Sequence, residues 1–114
     1  MNEIEIPTIS VQELKKRLDA DPALCLIDVR ELSEWQILRI PHAIHIPKDE
    51  LPNRISTHIS DLNHPIYLHC KGGVRSLYAA NCLLEMGYKK VYSVDGGIME
   101  WTMFGYPVEE KHPA

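Results

Sequence analysis

The sequence predicts an α/β domain built on a mostly parallel sheet with helices on both faces. Three observations predict it. Short apolar runs of strand character alternate with amphipathic helical segments, at spacings that suit right-handed crossovers. Capping and stop residues punctuate the helices, and 114 residues suffice for one well-buried core. No repeat, low-complexity tract or linker divides the chain, so residues 1–114 read as a single domain.

Each element follows in order. Ser10 precedes a helical pattern with Glu13 three positions on, so SVQE reads as a capping box opening a helix over Val11 to Ala20. Leu24 to Asp28 forms a short apolar strand after the Asp21-Pro22 turn. VRELSEWQIL supports a short helix with Trp35 and Leu38 facing inward, and Ala43 to Pro47 is a second strand entered through Pro41. KDELPNRISTHI is helical in part, limited by Pro52. Ile66 to Cys70 is the clearest strand. The following helix carries Leu77, Ala80, Leu83 and Leu84 at helical spacing and stops at Gly87. KVYSV makes a last strand, and GGIMEW begins a final short helix.

Composition excludes several classes. Twelve Lys+Arg against 16 Asp+Glu give a formal charge of -4, with no basic stripe for nucleic acid. No apolar run approaches the roughly 18 residues a membrane span needs, and the acidic N-terminus MNEIEIPTIS lacks a signal peptide's features. The expected location is cytoplasmic. Cys25, Cys70 and Cys82 cannot all pair and contain no C-x-x-C, which leaves a reduced compartment and one special thiol. The histidines His42, His45, His58, His64, His69 and His112 show no metal-ligand spacing, so neither metal nor cofactor is implied.

The special thiol is Cys70, in HCKGGVRS between a strand and a helix. Ligands of parallel sheets bind beyond strand carboxyl ends, and the helix opening near Arg75 or Ser76 aims free N–H groups at that point. Gly72 and Gly73 supply the backbone freedom to curl consecutive amides into a cup, with Lys71 and Arg75 adding full charges. Such surroundings favour a thiolate over a thiol, and a thiolate needs no adjacent base to act as a nucleophile. The reading requires a sulfur that solvent can reach. His69 is sent to the opposite face by strand alternation, so it reads as a locally bonded residue rather than a base. Cys25 and Cys82 read as ordinary buried cysteines.

Four stretches, LIDVRE (26–31), IPHAIHIP (40–47), CKGGVRS (70–76) and DGGIMEW (95–101), together resemble the rhodanese family of sulfurtransferases over nearly the whole chain. The resemblance implies a five-stranded parallel sheet flanked by helices, and a loop cysteine that carries a persulfide. Carried over by position, Cys70 is the sulfur-accepting nucleophile and the amides of Lys71, Gly72, Gly73, Val74, Arg75 and Ser76 cradle the outer sulfur. The side chains of Lys71 and Arg75 would meet an anionic donor. Asp28 and Arg30 match a supporting Asp-x-Arg element, and Gly96, Gly97 and Trp101 read as structural. The sequence departs from the family at Leu38, Arg39 and His42, where Gly, His and Gly are usual, which puts the turn there in question. That variant looks more like the rhodanese domains joined to adenylyltransferases. Implied partners are a small anionic sulfur donor or a persulfidated protein, and a separate sulfur-carrier protein or adenylyltransferase.

Four residues separate Cys70 from Arg75, whereas phosphatases of the same fold enclose five; the tighter ring suits one sulfur better than a phosphate, so phosphatase or arsenate chemistry ranks lower. Two more readings compete with sulfur transfer. One is a binding module without chemistry, and the second is a redox pair with Cys82, which helix rise places roughly 10 Å beyond the loop.

Overall fold

The structure, a computed structural model, describes residues 5–110. A five-stranded parallel sheet runs in the order β1 (Thr8–Ile9), β6 (Val91–Val94), β5 (Ile66–His69), β2 (Leu26–Asp28), β4 (Ile44–His45). The helices are α1 (Val11–Ala20), α2 (Leu32–Ile37), α3 (Leu51–His58), α4 (Val74–Glu85) and α5 (Gly97–Met103). A small antiparallel pair, β3 (Leu38–Arg39) with β7 (Glu109–Glu110), stands apart from the main sheet. His112 lies outside the described residues. No helix among those described is long and apolar enough to cross a membrane.

Side-chain alternation divides the core in two. Ile27, Ile66, Leu68 and Val91 point to a face covered by α3 and α4 through Leu51, Ile55, Ala80 and Leu83. Leu26, Tyr67 and Val94 point to the other, covered by α1 and α5 through Val11, Leu14, Ile98 and Trp101. All four residues of β5 are buried, as a strand covered on both faces requires. On α4, Leu77 faces outward, and Ser76 and Ala79 take inward positions instead.

β2 and β5 are neighbours in the sheet although β3 and β4 separate them in the chain. The direction of strand addition reverses there, so a crevice opens beyond their carboxyl ends. In register, Asp28 stands beside His69. The loops that follow Asp28 and His69 therefore leave the sheet side by side.

Several local expectations need correction. Ser10 Oγ accepts the Glu13 amide at 3.1 Å, but Glu13 pairs with Arg17 rather than completing a box. Trp35 is half-buried, stacked on His45 at 4.9 Å between ring centroids, with the Arg39 guanidinium 4.8 Å from its ring. Leu38 is not in the helix; it is extended and pairs with Glu110. The first sheet strand, β1, had no sequence signal because only two residues pair.

The turn at the departure from the family survives. Ala43 N–H donates to Ile40 C=O at 3.3 Å across Pro41 and His42, and His42 has φ 70, alone among described non-glycine residues. Proline followed by a residue of positive φ is the pattern of a type II turn, which favours glycine third. His42 thus holds a glycine conformation at a steric cost, while Leu38 needs no glycine because its φ is -152. His42→Gly should raise the unfolding free energy by about 0.5–1 kcal/mol, the relief of left-handed strain less glycine's entropy. His42→Val should lower it; urea denaturation of both checks the sign.

Candidate active site

β5 directs Leu68 and Cys70 to the α3/α4 face and His69 to the other. The chain then leaves the sheet and turns at Gly73, whose φ of 110 makes it the left-handed N-cap of α4. This turn aims two amides at the sulfur. Gly73 N–H donates to Cys70 Sγ at 3.1 Å and Ser76 N–H at 3.4 Å. Ser76 Oγ lies 3.6 Å from Sγ; it donates to Gly73 C=O at 3.1 Å and meets Ser93 Oγ at 2.7 Å. The amides of Lys71, Gly72, Val74 and Arg75 find no acceptor among the described residues. These unpaired donors border a loop that opens a twelve-residue helix, a setting that attracts negative charge.

A second element locks the loop. Ile98 N–H donates to Cys70 C=O at 2.9 Å, and Met99 N–H to Lys71 C=O at 3.0 Å. Gly97, at φ 54, makes the approach possible: a Cβ there would stand 2.4 Å from Cys70 O and 2.6 Å from Lys71 O. The glycine of the last motif is therefore structural, as expected. Gly72 is not required in the same way, because its φ is not positive and a Cβ would meet nothing within 4 Å.

Two further expectations change. Cys70 is only 1% exposed, so the loop covers the sulfur instead of presenting it to solvent. The physical reason is the curl itself, which folds Gly73 and Ser76 over Sγ. The two amides on Sγ set it apart from Cys25, which is also buried but accepts no hydrogen bond among the described residues, and whose thiol desolvation pushes up to about 11. Arg75 is also not free. Its Nη1 and Nη2 clasp both oxygens of Glu34 at 2.6 and 2.9 Å, and that guanidinium pulls the Glu34 carboxyl down to about 2. Lys71, exposed, has no ion-pair partner among the described residues.

Asp28 and Arg30 form a buried pair beside the loop. Asp28 Oδ1 accepts the Arg30 amide at 2.9 Å and Nε at 3.0 Å, and Oδ2 accepts an Nη2 proton at 2.8 Å. Arg30 also donates to Leu38 C=O, so it ties β2 to β3 rather than touching Sγ. His69, completely buried, stands with Nδ1 3.3 Å from Cys70 C=O and Nε2 3.5 Å from Asp28 Oδ2. A neutral imidazole has one proton for these two acceptors, and Nε2 is left without a hydrogen bond. Burial lowers the His69 pKa; Asp28 and the Cys70 carbonyl pull it up, and Arg30 adds to the lowering.

Ser93 and Glu34 join the site without standing out in the sequence. Ser93 carries one signal, a polar residue inside an otherwise apolar strand. Glu34 Oε1 accepts the Glu31 amide at 2.9 Å, so locally it reads as a helix cap, and its bond to Arg75 spans 41 positions.

A parallel α/β sheet with an amide-lined cysteine loop at its strand reversal defines the class of α/β domains that carry a thiol between a strand end and a helix N-terminus. Residues 10–104 match the rhodanese-like domain family, and the chain belongs to it. It is 39% identical over 98 residues to a Bacillus subtilis protein named as a candidate sulfurtransferase, YtwF, covering 86% of this chain and 92% of that one. It is 36% identical over 93 residues to the thiosulfate sulfurtransferase GlpE of Tolumonas auensis, covering 82% of this chain and 85% of that one. A B. subtilis protein named as a candidate sulfur carrier, YrkF, is 38% identical over 89% of this chain, which spans 54% of its length. Among solved structures, the rhodanese-like domain of Anabaena Alr3790 superposes with a TM-score of 0.83 at 28% identity, covering 96% of this chain and 86% of that one.

Gly97→Ala should cost at least about 2 kcal/mol through left-handed strain and collision with the loop carbonyls. Gly72→Ala should stay within about 0.5 kcal/mol of the wild type; chemical denaturation separates the two. His69 makes stability depend on pH. Its folded pKa lies below the ordinary 6.5, so the unfolded chain binds the proton first. The contribution is whole above that value and drains as pH falls, by at most about 1.4 kcal/mol per pH unit. Denaturation between pH 7.5 and 5 should show a slope that His69→Asn flattens.

Proposed function

We propose that the chain is a sulfurtransferase in which Cys70 carries the transferred sulfur as a persulfide. The observation that supports it best is the pair of amides on Sγ beside four unpaired ones, because a persulfide moves negative charge one atom outward and needs donors waiting there. Relatives named as sulfurtransferases support the same reading.

The reaction has two displacements. Cys70 thiolate attacks the outer sulfur of thiosulfate; the Cys–S–S bond forms, the S–S bond of the donor breaks, and its electron pair leaves with sulfite. A protein persulfide would follow the same step, leaving as its thiolate. An acceptor such as cyanide, a thiol or a sulfur carrier then takes the outer sulfur and restores the thiolate. Ping-pong kinetics follow. Because Sγ is covered, the donor has to enter where the chain is least braced. Gly72, exposed and free of neighbours at its tip, is that place, since α5 pins the carbonyls on either side of Lys71's amide.

The cover over Cys70 also favours a second reading, a binding module that performs no chemistry. One experiment decides between them. Intact-mass analysis after thiosulfate should show the gain of one sulfur atom, about 32 Da, which cyanide removes, and Cys70→Ser should neither gain sulfur nor turn over. A wild type that takes up no sulfur from thiosulfate or from a low-molecular-weight persulfide rejects sulfur transfer. Arg75→Ala should weaken the use of anionic donors, since it leaves the Glu34 carboxylate unpaired. We place the enzyme in a reducing cytoplasm, with a sulfur-carrier protein as the expected acceptor.

A further inference from the structure

Beside the loop lies a groove of about 360 Å³, lined by Arg30, Glu34 and Lys71 over an apolar floor that includes Leu38, Ile98 and Met99. Its charges are mostly cancelled. Arg30 is clasped by Asp28, and Glu34 takes both arms of the Arg75 guanidinium in a bidentate contact. Lys71 is the one lining cation without an ion-pair partner among the described residues. Arg75 stands behind Glu34, outside the groove's lining, and the pair is about 30% exposed on each side, so solvent reaches both charges.

We propose that Glu34 is a positioning residue that sets which sulfur donor the site accepts: by clasping Arg75 it leaves a single uncompensated cation at the groove, which favours a singly charged persulfide over dianionic thiosulfate. The proposal rests on the sulfur-transfer reading and deepens it. A donor brings its charge toward a sulfur that is itself negative when it attacks. Thiosulfate, with two charges, loses more from the cancelled arginine than R–S–S⁻ does with one. The persulfide step balances without a further reactant: the Cys70 S–S bond forms, the donor's S–S bond breaks, and the electron pair leaves on R–S⁻. The clasp holds throughout the neutral pH range. The Glu34 pKa is depressed to about 2 from an ordinary 4.5, so the pair is complete above 4.5 and is lost only as pH falls toward 2.

Glu34→Gln tests it while keeping an oxygen for the Glu31 amide. Sulfur uptake by Cys70 is measured with thiosulfate and with the persulfide of mercaptoethanol. In the variant, the ratio of kcat/KM for thiosulfate to that for the persulfide should rise about tenfold, through KM, with a steeper salt dependence. Adding Arg75→Ala to Glu34→Gln should bring the ratio back to within about threefold of the wild type, a reversal that a merely structural pair would not show. An unchanged ratio, or two donors that lose efficiency together, overturns the proposal. Sulfite binding, followed by the amide shifts of Gly73 and Ser76, keeps the question separate from turnover. About tenfold tighter binding in Glu34→Gln supports the charge role even where no sulfur is taken up, and equal affinities reject it. Absence of sulfur uptake from both donors in both proteins rejects sulfur transfer instead.

Discussion

The site depends on the pinning of one loop between β5 and the first turn of α5. Ile98 and Met99 donate to the carbonyls of Cys70 and Lys71, and with those oxygens held inward the following amides are turned the other way. Peptide planes make this obligatory, because fixing the carbonyl of one unit fixes the N–H of the next. Gly97 is the condition for the contact, since any side chain there would occupy the position of two loop oxygens. A helix remote from the cysteine in sequence is therefore the template on which its loop is shaped.

Charge at the site follows a different rule from the one the residue types suggest. The two arginines are held by partners, Arg30 by Asp28 and Leu38 and Arg75 by Glu34, and only Lys71 of the loop's cations has none among the described residues. What remains uncancelled is mostly backbone, the free amides at the start of α4. Amides are fixed in place and need no reorganisation when charge arrives, whereas a free arginine would follow the anion and surrender side-chain entropy. The arginines instead tie the connecting segments together, Arg30 through β3 and Arg75 through α2.

Most of this is legible in the sequence where the signal is local. Helices α1 and α4 and strands β5 and β6 carry periodic apolar patterns with recognisable ends, and their bounds differ from expectation by little. CKGGVRS announces the loop because two glycines and two cations follow a strand-end cysteine. What the sequence hides is short or non-local. β1 and β7 pair over two residues each, too few for any alternation to register. Glu34 has a sufficient local explanation as a cap, and only the folded chain brings it to Arg75. Gly72 and Gly73 look alike on paper, yet their backbone angles and surroundings separate them.

The two buried cysteines show why exposure is a poor measure of chemical role. Cys25 and Cys70 both lie in the α3/α4 core cluster, at 6% and 1% exposure, so by burial alone Cys70 is the more inert. Their difference lies in what fills the space around the sulfur. Desolvation penalises a charge only to the extent that the dipoles removed with water are not replaced. Around Cys25 no described residue replaces them. Around Cys70, Gly73 and Ser76 supply amides at hydrogen-bonding distance, and Ser93 fixes the nearby hydroxyl. The Cys70 sulfur is thus solvated by main-chain dipoles in place of water, and the loop that supplies them also shields it from water and stray oxidants.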